Sequence, residues 1–235
     1  MARIVTIHQP NYLPWIGLFS KLKQADCLII GDTYLLGGQS VFNRNKIRIS
    51  GGWQYLTIPL GHRSEGMKIH EVMTPADKNW QRSHWNTIQN HYLKTDFYNL
   101  HQDFFRNIYS QNFQYVWQMN EKIIRYLMNC FNVEIDVVRA SDLAVDPHLE
   151  KTALMISLLK AAGADVYLSG PSGRQYLQIE QFSQNNIQLK YFDFHHPVYK
   201  QRYPGFEPNM SAIDLLFNAG TAAADLIRTS GRICD

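Results

Sequence analysis

The sequence predicts an α/β fold: a mostly parallel sheet of βαβ units with a β-hairpin and a helical insertion. Three observations predict it. Residues 3–32 read as a strand, a short helix and a second apolar strand. Further apolar runs follow, separated by a helical segment, in the alternation typical of α/β proteins. Gly51-Gly52 joins two short runs with strand character, which indicates a tight hairpin.

The first βαβ unit places a polar segment at a ligand-binding edge. β-branched residues alternate in RIVTIHQ (3–9), a strand that ends at Pro10. One helix face is then marked at three-residue spacing by Ile16, Phe19, Leu22 and Ala25. The compact run CLIIGD (27–32) is typical of a buried parallel strand. Ligands bind beyond the carboxyl ends of such strands, so TIHQPNYLPWIG (6–17) is expected at a crevice.

The middle of the chain predicts the hairpin and the insertion. The hairpin strands are expected at about 44–50 and 53–59. From Lys78 to about Asn132, apolar and aromatic residues recur with helical periodicity, which predicts two or three helices.

The last part returns to strand and helix alternation. VEIDVVRAS (133–141), DVYLS and IQLKYFDF (187–194) read as strands, and EKTALMISLLKAAGA reads as a helix ending at Gly163. A proline-punctuated loop precedes a final helix, AIDLLFNAG, which Asn209 or Ser211 could cap. We expect one α/β domain over residues 1–235, with the helical insertion at about 78–132.

Composition excludes several classes of protein. The net charge of +3 is mild and the basic residues are scattered, so no nucleic-acid polymer is expected as a partner. The three cysteines are far apart, which predicts neither a disulfide framework nor a CxxC metal site. The sequence shows no signal-peptide pattern and no apolar run of transmembrane length. We therefore expect a cytoplasmic protein that does not insert into membranes.

The opening loop carries the first candidate site residues. His8 and Gln9 follow the first strand directly, and Pro10 and Pro14 restrict the backbone around them. Tyr12 and Trp15 add a hydroxyl and an indole to the same loop. The alternative is a structural role, with His8 bonded to the backbone and the two aromatic residues closing the end of the sheet.

Two further groups extend this candidate site. Asp32 follows the second strand, at the same edge of the sheet as His8. Its carboxylate has either a catalytic role or a structural role in a turn. The segment FNRNKI supplies two amides and two cations suited to a phosphate or a nucleotide-linked sugar: Asn43, Arg44, Asn45 and Lys46. An exposed strand end with alternating charge is the other interpretation.

YLSGPSGRQYL could hold an anion on backbone N–H groups, with Arg174 as a guanidinium fork. It lacks the Walker pattern, the dinucleotide fingerprint and the GxSxG elbow that would activate Ser169 or Ser172. His195 and His196 lack a metal-binding spacing and lie near cations, so no metal site is expected. Cys27 lies inside an apolar strand and is expected to be inert.

The segments IHQPNYLPWIGLFSKLKQAD, NRNKI, GWQYLTIPL, YLSGPSGRQYL and MSAIDLLFNAG closely resemble the WbqC-like protein family. The resemblance extends to about Gly220 and implies work on bacterial surface-polysaccharide precursors, as in O-antigen biosynthesis. The family often has Asp-Asp where this chain has Gly31-Asp32, so only Asp32 is carried over there. The other matching positions are His8, Gln9, Tyr12, Trp15, Asn43, Arg44, Asn45, Ser169, Gly170, Tyr176, Ser211 and Asp214.

These observations lead to one preferred reaction. We expect transfer of an amino-acid or other acyl group to the amine of a nucleotide-linked aminosugar. His8 is the predicted base, titrating near the usual histidine pKa; Asp32 would orient it, and Gln9 and Tyr12 would stabilise the oxyanion. The predicted substrate-binding residues are Trp15, Asn43, Arg44, Asn45, Lys46, Ser169, Ser172, Arg174 and Tyr176.

Two other functions stay open at this point. One is an ATP-dependent, adenylate-forming amide ligase of the nucleotidyltransferase-like type, whose strand, histidine loop and helix order this chain shares without its HxGH motif. The other is a noncatalytic protein that binds sugar nucleotides. The sequence does not identify a cofactor and leaves both ATP and an acyl donor open, together with a homodimer.

Overall fold

A computed structural model describes residues 1–38, 40–61, 64–146, 148–149 and 151–235. Its main sheet has six strands, in the order β5-β2-β1-β6-β7-β8. The strands are β1 (Ile4–His8), β2 (Cys27–Ile30), β5 (Asp136–Arg139), β6 (Val166–Ser169), β7 (Gln188–Phe194) and β8 (Gly231–Cys234). All neighbouring pairs are parallel except β7 and β8, which are antiparallel. The predicted α/β fold with a mostly parallel sheet is confirmed.

The hairpin forms a separate two-stranded antiparallel sheet, as predicted. Its strands are β3 (Arg44–Ile49) and β4 (Gly52–Thr57). Gly52 adopts a positive φ of 127° at the turn, a conformation that side-chain-bearing residues rarely adopt. On β3, Ile47 is fully buried in the core, whereas Arg44 and Lys46 on the opposite face are partly exposed.

Helices surround the main sheet. They are α1 (Ile16–Leu22), α2 (Asn79–Tyr92), α3 (Tyr98–Ser110), α4 (Val116–Cys130), α5 (Lys151–Ala161), α6 (Ile179–Gln184), α7 (Ala212–Ala219) and α8 (Ala223–Arg228). Three of them, α2 to α4, occupy the segment predicted to be helical. Gly163 has a φ of 68° just after α5, and Ser211, rather than Asn209, caps α7.

Three short elements were not predicted from the sequence. Helices α6 and α8 have six residues each, too few to show a clear helical period. Strand β8 has four residues and begins with a glycine, so it carries little strand signal of its own. Tertiary packing against β7 therefore decides this edge of the sheet.

Two apolar layers cover the two faces of the sheet. Val5 and Ile7 of β1 belong to one layer, together with residues of α5. The opposite layer contains Ile30 of β2 and the buried face of α1. Because His8 is paired with Ile30 and side chains alternate along a strand, His8 lies on the α1 side of the sheet.

The strand order places a topological switch beside β1. The chain runs outward from β1 to β2 and β5, then returns to the other side of β1 to form β6. In open α/β sheets, ligands bind in the crevice beyond the carboxyl ends of the strands at such a point. His8 ends β1 and Ser169 ends β6, so this is the expected crevice.

In the part of the chain that the structure describes, no helix has the length and apolar character needed to cross a membrane.

Candidate active site at the end of the first strand

A cavity of about 420 Å³ lies at the end of β1. Its volume is within the range of small-molecule sites. It is lined by His8, Asn11, Trp15, Val41, Arg44, Asn45, Lys46, Tyr55 and Asn209. Five of these residues were predicted from the sequence: His8, Trp15, Arg44, Asn45 and Lys46. The structure therefore brings together the opening loop and the hairpin, which are distant in sequence.

A larger depression of about 650 Å³ lies between the beginning of α2 and the end of α3. Its lining includes Lys78, Arg82 and Arg106 but no residue of the main sheet. We base the candidate active site on the cavity at β1, because that cavity combines the switch point with a histidine.

Buried hydrogen bonds fix the opening loop against the hairpin segment. The side-chain amide of Asn120 donates to the carbonyl oxygens of Pro10 (2.7 Å) and Phe42 (2.8 Å). The amide of Asn45 donates to the carbonyl of Leu13 (2.6 Å). Since each bond joins distant segments, the two walls of the cavity are held in register.

The start of α7 completes the enclosure. The backbone N–H of Ser211 donates to the carbonyl of Lys46, and that of Ala212 donates to the carbonyl of Pro14, both at 2.8 Å. Asn209, just before this helix, has a φ of 60° and lines the cavity. The MSAID segment thus ties the hairpin to the opening loop.

Backbone contact fixes the tautomer of His8. Its Nδ1 lies 3.0 Å from the carbonyl oxygen of Gln9. A carbonyl can only accept, so Nδ1 carries the proton and donates. In the neutral ring, Nε2 then keeps a free lone pair, which is the state required of a general base.

The surroundings keep this imidazole neutral. Burial, and then the positive charge of Lys21, lowers the pKa of His8 to about 4, against a smaller opposing effect of the Gln9 carbonyl. His8 is therefore unprotonated throughout the neutral range. This pKa is lower than the usual histidine value expected from the sequence.

Cations and aromatic rings share one face of the hairpin. The guanidinium carbon of Arg44 lies 4.6 Å from the ring centre of Tyr55, and Lys46 Nζ lies 3.9 Å from that of Trp53. Both aromatic residues are 42% exposed. The nine residues that line the cavity include two cations and no carboxylate, so this wall attracts an anionic ligand.

Trp15 covers the other side of the cavity. Its ring packs edge-to-face on Phe194, with 4.8 Å between ring centres. Gly17 permits this position, because a Cβ atom there would come within 2.4 Å of the Trp15 ring. The glycine two positions after Trp15 in the opening motif is therefore explained by the space that the Trp15 ring occupies.

Asp32 has a different role from the predicted one. Its carboxylate accepts from the backbone N–H of Ser141 (2.9 Å) and from the Ser141 hydroxyl (2.6 Å). It is fully buried and joins the ends of β2 and β5. The described contacts of His8 involve the Gln9 carbonyl, so Asp32 does not orient this histidine.

Tyr12 also points away from the cavity. Its hydroxyl is fully buried, 2.8 Å from His84 Nδ1 and 2.5 Å from the Tyr109 hydroxyl. This network connects the opening loop to α2 and α3, so the predicted oxyanion role does not fit the position of Tyr12. Gln9 Oε1 accepts from the Ser40 hydroxyl at 3.5 Å, and Gln9 is not among the lining residues.

The loop after β6 contributes none of the lining residues. Arg174 donates to the carbonyl of Asp235 (2.7 Å) and lies over the ring of Tyr191 (4.0 Å), while Ser172 and Tyr176 are exposed. Ser169 is buried at the strand end. Asn43 donates to the carbonyl of Ile58 (3.0 Å), which fastens the hairpin. These predicted binding residues lie outside the cavity.

The sequence interpretation missed several residues near His8. Asn11, Val41, Tyr55 and Asn209 line the cavity through loop and strand geometry that their types do not reveal. Lys21 is different, because it lies three positions after Leu18 and four before Ala25, on a buried helix face. A lysine at an apolar helical position is a signal that the sequence already contained.

Comparison with known proteins identifies the family of this chain. The model of the WbqC-like protein family matches residues 9–226. The uncharacterized protein Rv1507c of Mycobacterium tuberculosis (strain ATCC 25618 / H37Rv) is 30% identical over 227 residues, covering 95% of this chain and 97% of that protein. No solved structure matches the chain.

Proposed function

The chain belongs to the WbqC-like protein family, and from this premise we propose that it is a transferase of bacterial surface-polysaccharide biosynthesis. It attaches an acyl or aminoacyl group to the amine of a nucleotide-linked aminosugar. The observation that carries the proposal is the cavity at β1, where a neutral histidine with a fixed tautomer faces a wall bearing Arg44 and Lys46. The histidine can accept a proton from the amine, and the two cations can bind the diphosphate.

The reaction needs one base and one acyl donor. The amine nitrogen attacks the donor carbonyl carbon, and its proton passes to Nε2 of His8. The new nitrogen–carbon bond forms, the bond between the carbonyl carbon and the leaving group breaks, and His8 returns the proton to the leaving group. Gln9 supports His8 through its backbone carbonyl.

The direct test compares wild type with His8→Gln in the presence of nucleotide aminosugars and acyl donors. Glutamine preserves hydrogen bonding but cannot accept a proton at neutral pH. Mass spectrometry of the nucleotide sugar should show a gain of one acyl group, with kcat/KM in the variant reduced about 10²- to 10⁴-fold. His195→Gln, the same substitution at an exposed position outside the cavity, is the matched control and should keep wild-type turnover.

Other outcomes would assign other functions. Product that forms only with ATP and Mg²⁺, with release of pyrophosphate, would indicate the amide ligase. Binding of nucleotide sugars that survives His8→Gln, without product from any donor, would indicate a binding protein. Near-wild-type turnover in His8→Gln would remove His8 from the role of base.

A further inference from the structure

Asn11 is a buried residue of the cavity wall whose side-chain amide is unpaired. The residue is only 3% exposed, and its Oδ1 has no hydrogen-bond partner among the described residues. Nδ2 forms no bond to the described chain either, but it is not enclosed as Oδ1 is, so it keeps accessible surface. Most buried side-chain amides are paired, because an unpaired polar group is costly to bury.

Two other asparagines of the same region are paired. The amide of Asn120 donates to two backbone carbonyls, and the amide of Asn45 donates to a third. These two side chains fasten the opening loop. The amide of Asn11 forms no such bond, so hydrogen bonding within the fold does not explain its position.

One backbone oxygen places Asn11 beside His8. The carbonyl of Gln9 accepts from Nδ1 of His8 (3.0 Å) and from the backbone N–H of Asn11 (2.8 Å). Both His8 and Asn11 line the cavity at β1. The candidate base and an unpaired amide donor are therefore neighbours in one wall of the cavity, in a turn that Pro10 restricts.

The two side chains bind complementary atoms. Nε2 of His8 is an acceptor and binds an N–H group, whereas Nδ2 of Asn11 is a donor and binds a lone pair. An amine next to an acyl oxygen supplies one of each. A phosphate supplies acceptors only, and the charged groups of Arg44 and Lys46 match it better.

We propose that Nδ2 of Asn11 donates a hydrogen bond to the oxygen of the acyl group whose carbon is attacked beside His8. This inference rests on the proposed function and names the residue that holds the acyl oxygen. When the amine attacks, that oxygen gains negative charge, and an N–H donor already in place stabilises it. Asn11 takes the role that the sequence assigned to Gln9 and Tyr12, neither of which lines the cavity.

The test is calorimetric titration with two probes, each as the uridine- and the thymidine-diphosphate derivative. Nucleotide-linked glucosamine has a free amine, and nucleotide-linked N-acetylglucosamine has the amide that acyl transfer produces. Asn11→Ala should weaken binding of the N-acetyl probe about tenfold, because the hydrogen bond to its carbonyl is lost. Binding of the free-amine probe should not change.

Two further variants control this comparison. Asn11→Asp keeps the shape of the side chain but replaces the donor with an acceptor, so it should weaken binding of the N-acetyl probe at least as much. Asn99→Ala, the same truncation at an exposed position of α3, should bind both probes as wild type does.

Wild-type affinity of Asn11→Ala for the N-acetyl probe would overturn the proposal, and so would an equal loss for both probes. Wild type that binds no N-acetyl probe would overturn it as well. Turnover is measured separately. Normal acyl transfer by Asn11→Ala would refute the role of Asn11 and leave the proposed function standing, whereas selective loss of N-acetyl binding in a protein without turnover would refute only the transferase.

Kinetics and stability separate this role from a structural one. In Asn11→Ala, kcat should fall about 10²- to 10³-fold with little change in KM for the aminosugar, which has no acyl oxygen. Its Tm should stay close to that of wild type, whereas Asn120→Ala should lower the Tm, because two carbonyls lose their donor. An equal decrease of Tm in the two variants would show that Asn11 is structural and would overturn the proposal.

Discussion

His8 and His84 are both kept neutral by burial, but their surroundings assign them different roles. Burial lowers the pKa of each to about 4. His84 is 6% exposed, and its Nδ1 is paired with the Tyr12 hydroxyl inside the protein. His8 instead lines a cavity and has only one ring nitrogen bonded to the chain in the described structure. The free lone pair, rather than the pKa, distinguishes the candidate base.

His84 makes the fold sensitive to acid. Its pKa is lowered in the folded state, so its contribution to stability is complete above the unfolded value of 6.5 and is lost as the pH falls towards 4. Between pH 7 and pH 5 the free energy of unfolding should decrease by about 2 kcal/mol because of this residue.

The measurement is urea denaturation of wild type and His84→Gln at both pH values. Other titrating groups, including His8 and the buried Asp214, whose pKa is raised mainly by burial, act in both proteins and cancel in the comparison. The variant should lose less stability than wild type on acidification. Equal losses would show that His84 is not held neutral by the fold.

At the level of elements, the loop between β1 and α1 depends on one residue with a positive φ, on two side-chain hydrogen bonds to its backbone and on one close approach. Leu13 adopts a φ of 43° between the two prolines, a conformation uncommon for a residue with a side chain. The side-chain amides of Asn120 and Asn45 hold the backbone of this loop at the carbonyls of Pro10 and of Leu13 itself. Gly17 then leaves room for the Trp15 ring.

Gly17→Ala should displace Trp15 without unfolding the protein. The added methyl group meets the Trp15 ring at 2.4 Å, so the indole must move, at a cost of about 1–3 kcal/mol in the free energy of unfolding. Gly51→Ala is a suitable control, because no atom lies within 4 Å of a Cβ at that position. The indole N–H resonance of Trp15 should shift in Gly17→Ala only; an unchanged resonance would show that Trp15 does not pack over Gly17.

Across the whole molecule, apolar runs and turn residues were sufficient to predict the parallel strands of the main sheet, the hairpin and the helical segment, but not the antiparallel edge strand β8. The partners of polar side chains could not be predicted in this way. Asp32 forms a hydrogen bond with Ser141, 109 residues away in sequence, and Tyr12 forms one with Tyr109, 97 residues away. Pairing over such distances depends on the packing of α2, α3 and β5, which no local pattern encodes.

The same limit explains which part of the site was predictable. The opening loop and the hairpin each show an unusual density of polar and aromatic residues, and both line the cavity. The loop after β6 shows a similar density, yet its Arg174 lies over the ring of Tyr191 in β7 and none of its residues lines the cavity. Composition indicates which segments carry special residues, whereas the strand order decides which of them meet.

We propose that Nε2 of His8 accepts a proton from the amine of a nucleotide-linked aminosugar in the cavity at β1. The most direct measurement is a long-range ¹H–¹⁵N NMR spectrum of the histidine rings at pH 7, with His8 assigned by His8→Gln. We predict an unprotonated Nε2 that shifts on addition of a uridine- or thymidine-diphosphate aminosugar, while the buried His84 stays unchanged. A protonated Nε2, or a His8 signal that does not move at saturating ligand, would contradict the proposed role of His8.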